Sequence, residues 1–325
     1  MKRRSFITLL GGAGAALPFM ATFAQAADYP DGPVKIIVAQ SAGGSLDVIL
    51  RLVAERLSQT WGKQVVVMNV PTGGSGVVAA RNTAAAAPDG STLLMASASI
   101  FTVLPEVQPN LPFDVGEFVP IGFTGEQSMA IVVSPALGVS SLPELILLSK
   151  KQPGGLNCAV GGRGSLAHLT GELFRIRSGA NLTFVYYPGT SQSLNDVIAG
   201  RVPILVNILP AMTGAISSGQ VKLLSITSPS RLSSFPDVPA TAEVVPNFAV
   251  SGWTALVAPR GTPATIVNKV NADLRAAQAR PELKQRLEEL GTQIRPMSPQ
   301  QVAEFIRSER ALWRPVLKEI GIKPE

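Results

Sequence analysis

Four segments of the chain share one order: a β-branched apolar run, a turn rich in Gly, Ser and Thr, and then a helical pattern. Ile36-Ile37-Val38 leads into Ser41-Ala42-Gly43-Gly44-Ser45, and Val65-Val66-Val67 into Thr72-Gly73-Gly74-Ser75-Gly76. Cys158-Ala159-Val160 leads into Gly161-Gly162-Arg163-Gly164-Ser165, and Phe184-Val185-Tyr186-Tyr187 into Pro188-Gly189-Thr190-Ser191. Such a turn aims unpaired backbone N–H groups and the positive end of a helix dipole at one spot. Glycine there lets a ligand oxygen approach the backbone closely. Several such turns converging make a carboxylate-binding cleft.

Short apolar runs alternating with helical patterns predict parallel-sheet α/β architecture. Leu46, Ile49, Leu50, Val53 and Leu57 recur at helical spacing after the first turn, as do Leu166, Leu169, Leu173 and Ile176 after the third. In both cases the turn falls at the carboxyl end of a strand. Nearer the C-terminus, Thr262-Pro263 predicts an N-cap followed by proline at the first helical position. Ser298-Pro299-Gln300-Gln301 adds a capping box to the same signal. Ala130–Val133 and Trp253–Ala258 are apolar segments suited to crossing between lobes. The expected division is residues 1–26 as a signal peptide, 27–129 with 226–325 as a discontinuous first lobe, and 130–225 as an inserted second lobe. A ligand then sits between the lobes.

Residues 1–26 carry Lys2-Arg3-Arg4, a weakly apolar stretch from Phe6 to Phe23, and Ala24-Gln25-Ala26 as a small-x-small cleavage site. They predict export to the periplasm with a mature start at Ala27. Arg3-Arg4 fits a twin-arginine signal or an ordinary secretory one, and both routes stay open. No other window has about 18 uninterrupted apolar residues, so no membrane span is expected. The formal net charge of +6 includes the three basic residues of the signal. The small balance left in the mature chain argues against a nucleic-acid partner. Cys158 is the only cysteine and His168 the only histidine, which excludes an intrachain disulfide and a His/Cys zinc site. No metal or cofactor is expected. Gly74-Ser75-Gly76-Val77-Val78-Ala79 matches a dinucleotide fingerprint in form. The next strand, however, ends in Ser97-Ala98-Ser99 without the acid that would hold a ribose hydroxyl.

Individual residues carry two readings each. Ser165 is an N-cap alone, or an N-cap that also touches ligand. His168, in the first turn of the same helix, is a structural hydrogen-bonder or a neutral donor to a carboxylate. Asp47 complements the first helix dipole, or receives a ligand amine. Arg163 is an exposed loop cation, or a bidentate partner for a carboxylate. Ser165 and His168, sharing a helix face, also define the enzyme alternative, a secreted serine hydrolase. That alternative lacks an orienting acid and a Gly-x-Ser-x-Gly frame, and the chain is not expected to be an enzyme.

Read together, Ala42-Gly43-Gly44 with Asp47, Ala87-Pro88-Asp89-Gly90-Ser91-Thr92-Leu93-Leu94, Leu111-Pro112-Phe113-Asp114, Pro153-Gly154-Gly155-Leu156-Asn157, Gly164-Ser165-Leu166-Ala167-His168-Leu169, Phe235-Pro236-Asp237-Val238-Pro239 and Ala258-Pro259-Arg260-Gly261-Thr262-Pro263 resemble the tripartite tricarboxylate transporter substrate-binding family, known in some bacteria as Bug receptors. The resemblance implies the type II periplasmic binding protein fold, with two α/β lobes closing over a small organic carboxylate. It implies delivery to membrane transporter subunits or a sensor, by a protein expected to be monomeric. It places ligand contacts at Ser41, Ala42, Gly43 and Gly44 with Asp47, at Gly164, Ser165 and His168, and at Tyr187, Gly189 and Thr190. The chain departs from the family pattern with Ala39-Gln40 where Pro-Phe is usual, with Pro188 where Lys is usual, and with Pro203 and Asn207 where acids are usual. Gln40 and Asn207 therefore offer amide donors and acceptors to the cleft.

Overall fold

The structure, a computed structural model, describes residues 29–70, 76–108 and 110–321. The expected signal peptide at 1–26 and the turn expected at 71–75 lie outside these residues. The first half alternates strand and helix: β1 (Val34–Val38), α1 (Ser45–Trp61), β2 (Val65–Asn69), α2 (Val77–Ala84) and β3 (Thr92–Ser97), then short helices α3 (Ala98–Thr102) and α4 (Leu104–Val107). A 16-residue strand, β4 (Phe118–Val133), leads into the second half. There the order is α5 (Leu142–Lys151), β5 (Leu156–Val160), α6 (Leu166–Ser178), β6 (Leu182–Tyr186), α7 (Thr190–Ile198), β7 (Ile204–Ile208), α8 (Thr213–Ser217) and β8 (Lys222–Ile226). The chain then returns through β9 (Ser251–Pro259), α9 (Ala264–Gln278), α10 (Pro281–Glu289), β10 (Thr292–Gln293) and α11 (Pro299–Ile320).

The strands run in the order β2-β1-β3-β9-β4-β7-β5-β6, with β8 and β10 also paired to β4. As expected, the βα units are parallel: β1 with β2 and β3, and β5 with β6 and β7. The strands flanking the junction are antiparallel. β4 changes partner midway, pairing with β9 as far as Ser128↔Ser251 and with β7 from Met129↔Ile208. One strand thus belongs to both lobes of a two-lobe binding-protein fold.

Alternation along the strands sorts the side chains into layers. In β4, Met129, Ile131 and Val133 join the core under α5 and α6, while Ala130 and Val132 join the core under α7 and α8. In β1, Ile36 and Val38 pack beneath α1 and α9, and Ile37 faces α2 and α3. The helical stripe of α1 is buried as its spacing requires: Ile49, Leu50, Val53 and Leu57 are all fully covered.

Two segments within the expected 226–325 portion of the first lobe pack in the second lobe's core. Val245, Phe248 and Val250 are one, and Trp313 and Leu317 of α11 are the other. The N-terminal part of α11 packs on the first lobe through Val302 and Ile306. At 22 residues, α11 is about 33 Å long and reaches across both. Its capping box is present, with Ser298 Oγ accepting from the Gln301 N–H and Gln301 Oε1 from the Ser298 N–H. The start of α9 corrects the expected cap. Thr262 donates its hydroxyl to the Pro259 carbonyl, and Pro263 occupies the cap position.

Candidate functional site

The carboxyl ends of β1, β3, β5, β6 and β7 open onto one cleft between the lobes, with a volume of about 540 Å³. This is the size range of small-molecule sites. Of the residues singled out from sequence, Gln40, Ser41, Gly44, Ser165, Tyr187, Gly189, Thr190 and Asn207 line it. Ala42, Gly43, Asp47, Arg163, Gly164 and His168 do not.

The turns before α1 and α6 are built alike. Gly43 and Gly164 both adopt positive φ, of 78° and 76°, which favours glycine. Each donates its N–H to a side chain four residues on: Gly43 to Asp47 Oδ2 at 2.8 Å, and Gly164 to His168 Nδ1 at 3.1 Å. Asp47 and His168 are both 2% exposed, so they hold the turns from behind.

Every other contact of Asp47 is also internal. Oδ1 accepts from Asn69 Nδ2 at 2.8 Å, and Arg51 donates to both carboxylate oxygens. Burial works against the charge, but the hydrogen bonds from Arg51, Asn69 and Gly43 outweigh it and hold the carboxyl below its ordinary range. No carboxylate oxygen is left for a ligand amine.

Because His168 Nδ1 accepts from Gly164, its ring proton sits on Nε2, which donates to Tyr186 Oη at 3.2 Å. Burial pushes the imidazole below its ordinary pKa, against the nearby Glu172 carboxylate. The ring is neutral and structural. Ser165 Oγ accepts the His168 backbone N–H as an N-cap and is not directed at the ring. The serine hydrolase alternative fails on this geometry, since the base's acceptor nitrogen is occupied and the serine is turned to the backbone. Arg163 is exposed at the rim, close enough to influence the titration of His168 and Tyr186.

Several N–H groups around the first turn are taken. Leu46 donates to Gln40 Oε1 at 2.7 Å, and Gly44 to the Ser41 carbonyl. Gly44 must lack a side chain, because a Cβ there would stand 2.4 Å from Gln40 Cδ. The open donors lie elsewhere. Leu166 and Ala167 begin α6, and Thr190, Ser191 and Gln192 begin α7; all five line the cleft, and first-turn N–H groups have no partner within their helix. Asn207 fixes Thr190: Oδ1 accepts the Ile208 N–H, while Nδ2 donates to Thr190 Oγ1 at 3.2 Å. The Thr190 hydroxyl keeps its proton to donate, and Thr190 lines the cleft. Tyr187 donates its phenol to Asp196 at 2.6 Å, and burial with that contact raises its pKa to about 12.

Sequence reasoning missed the residues supplied by the strands between the turns and by α3: Ser97 and Ser99, whose hydroxyls lie 2.9 Å apart, and Gln127, Met129, Trp253 and Thr254. The apolar wall is Leu46, Met129, Leu166, Ile208 and Trp253. Ala130–Val133 stood out in sequence as an apolar crossing segment, but the part of β4 before it that reaches the cleft did not.

Residues 49–322 match the family described as "Tripartite tricarboxylate transporter family receptor". Protein BugT of Bordetella pertussis is 35% identical over 314 residues, covering 96% of this chain and 94% of BugT. Among solved structures, R. palustris Rpa4515 with adipate superposes with a TM-score of 0.88 at 31% identity, covering 91% of this chain and all of that one. MatC from Rhodopseudomonas palustris with bound malate gives 0.82 at 28% identity, covering 89% of this chain and all of MatC. No helix among the described residues is long and apolar enough to cross a membrane. The chain belongs to the tripartite tricarboxylate transporter receptor family, whose members include the Bug proteins.

Proposed function

We propose that this protein is an exported periplasmic receptor. It captures a small organic carboxylate between two lobes, 27–129 with 226–325 and 130–225, and releases it unchanged to membrane transporter subunits or a sensor. The observation that carries this reading is the meeting of the α1, α6 and α7 N-termini, from both lobes, on one cleft of ligand size. The acid's oxygens are received by the open N–H groups of Leu166 and Ala167 at the start of α6 and by the first turn of α7 with the Thr190 hydroxyl, against the wall formed by Ser41 and Gly44. Gln40, Tyr187, Gly189 and Asn207 shape the walls. Asp47 and His168 act through the turns that they hold, and Arg163 adds positive potential at the rim. The adipate and malate named for Rpa4515 and MatC support the ligand class.

A thermal-shift screen of mono-, di- and tricarboxylates with acidic amino acids tests it. A ligand at a hundredfold excess over its Kd stabilises by about 2.7 kcal/mol. At least one acid is expected to raise Tm; no response across the whole series overturns the reading.

A further inference from the structure

Trp253 belongs to the apolar wall of the cleft and is 1% exposed. Its ring lies against Phe101, Phe123 and Phe305 of the first lobe, with centroids 6.3, 6.5 and 5.4 Å away. Its indole N–H donates to Glu309 Oε2 at 3.0 Å. Trp313, one turn further along α11, gives the same carboxylate a second hydrogen bond, and its ring is buried in the second lobe's core. Glu309 stands in α11 between Ile306, which packs on the first lobe, and Trp313, which packs in the second. One carboxylate thus takes an indole from each lobe, on the helix that reaches across both.

Ionised, this carboxyl costs stability rather than adding to it. Glu126 on β4 repels it. Arg295, ahead of α11, attracts it, but is bonded to Glu126 at 3.0 Å and lies over the Phe123 and Phe305 rings. Arg310, next along α11, is paired with Glu106 of α4. Burial, with Glu126, outweighs the two indole bonds and Arg295, and the carboxyl is pushed above its ordinary range. At neutral pH the folded chain therefore holds this charge less readily than the unfolded chain does. What the charge provides is two acceptor oxygens for two donors, where the amide of a glutamine has one oxygen and a donor of its own.

On the reading that the cleft between the lobes holds the ligand, we propose that Glu309 is a positioning residue for it: the carboxylate fixes Trp253 in the cleft wall and ties that wall to the core of the second lobe. The wall and the spacing of the lobes are then set together. Neutralising Glu309 weakens both indole bonds, uncouples the wall from the second lobe and lowers the affinity of the cleft.

The indole N–H resonances of the three tryptophans, followed by NMR in the ligand-free protein as pH is lowered, test the coupling. Those of Trp253 and Trp313 are expected to move with one common midpoint above the ordinary glutamate value, which Trp61, bonded to Asp273, does not share. Glu309→Gln is expected to abolish that common step and to leave Tm at pH 7 unchanged or higher. By calorimetry it is expected to weaken the tightest binder among succinate, malate and adipate by about fivefold or more. A part played only in packing would instead lower Tm. If Glu309→Gln does not fold, Trp313→Phe takes its place. It leaves the cleft wall intact, and is expected to shift the Trp253 indole resonance and to weaken binding in the same sense. Separate midpoints for Trp253 and Trp313, or no step above the ordinary glutamate value, overturn the coupling. Unchanged affinity in the variant overturns the positioning role. Failure of all three acids and of the wider screen to bind overturns the carboxylate reading instead, and the resonances of the ligand-free protein still decide whether Glu309 joins the lobes.

Discussion

Asp47 and His168 hold equivalent places in two turns, each accepting the N–H of a positive-φ glycine four residues earlier, Gly43 at 2.8 Å and Gly164 at 3.1 Å. A carboxylate and an imidazole thus do one job in the two lobes. They fix the backbone of the turns before α1 and α6 and do not themselves line the cleft.

Replacing Asp47 by Ala strands the Gly43 N–H and the Asn69 amide, and is expected to cost about 1–3 kcal/mol of stability. The carboxyl is held below its ordinary range, so its contribution is complete above about pH 4 and is lost as pH falls through the folded value. Urea unfolding at pH 7 and pH 3 checks this: the gap between wild type and Asp47→Ala narrows at the lower pH. An equal gap at both contradicts it.

His168 has the opposite charge sense and the same sign of pH dependence. Its folded pKa lies below the ordinary 6.5, so stability is complete above that value. Below it the unfolded chain takes up a proton that the buried ring refuses, and stability declines toward the folded pKa. Wild type is expected to lose stability between pH 7.5 and 5.5, and His168→Gln to lose less. Parallel curves would place the titration elsewhere.

Gln40 plugs the start of α1 by accepting the Leu46 N–H at 2.7 Å. Gln40→Glu keeps that acceptor and adds a charge favoured by the helix dipole, worth about 0.3–1 kcal/mol, so Tm is expected to hold or rise. The same charge repels an anionic ligand, and carboxylate affinity is expected to fall at least tenfold. Calorimetry and melting curves on one preparation separate the two effects.

The strand–turn–helix units, the buried stripe of α1 and the capping box at Ser298 were legible because each is set by residues within a few positions of one another. Seven of the eight singled-out residues that line the cleft lie in or beside those same local turns, and the eighth, Asn207, lies near the end of β7. Gln127, Ser97 and Trp253 were not legible as wall residues, because their place depends on how β9 pairs with β4 and β3 across more than 120 residues of sequence. Nor could spacing alone tell that Asp47 and His168 face away from the cleft. That is decided by Asn69 and Arg51 for one, and by Tyr186 for the other.

Trp253 lines the cleft and donates its indole N–H to Glu309 of α11 at 3.0 Å. Trp61 is bonded to Asp273 away from the cleft, and Trp313 is buried in the second lobe's core. Saturating carboxylate is expected to shift the intrinsic fluorescence, and Trp253→Phe to remove most of that shift while binding persists. A full shift surviving in the variant would mean that the ligand is sensed elsewhere.

The crystal structure of the protein with the acid that most raises Tm is the most direct test of a carboxylate held by helix starts from both lobes. The account predicts carboxylate oxygens about 2.7–3.2 Å from backbone N–H groups at the start of α6 or α7, with the Thr190 hydroxyl donating to one of them. An acid bound outside the cleft, or held in it only by side chains remote from those helix starts, would contradict it.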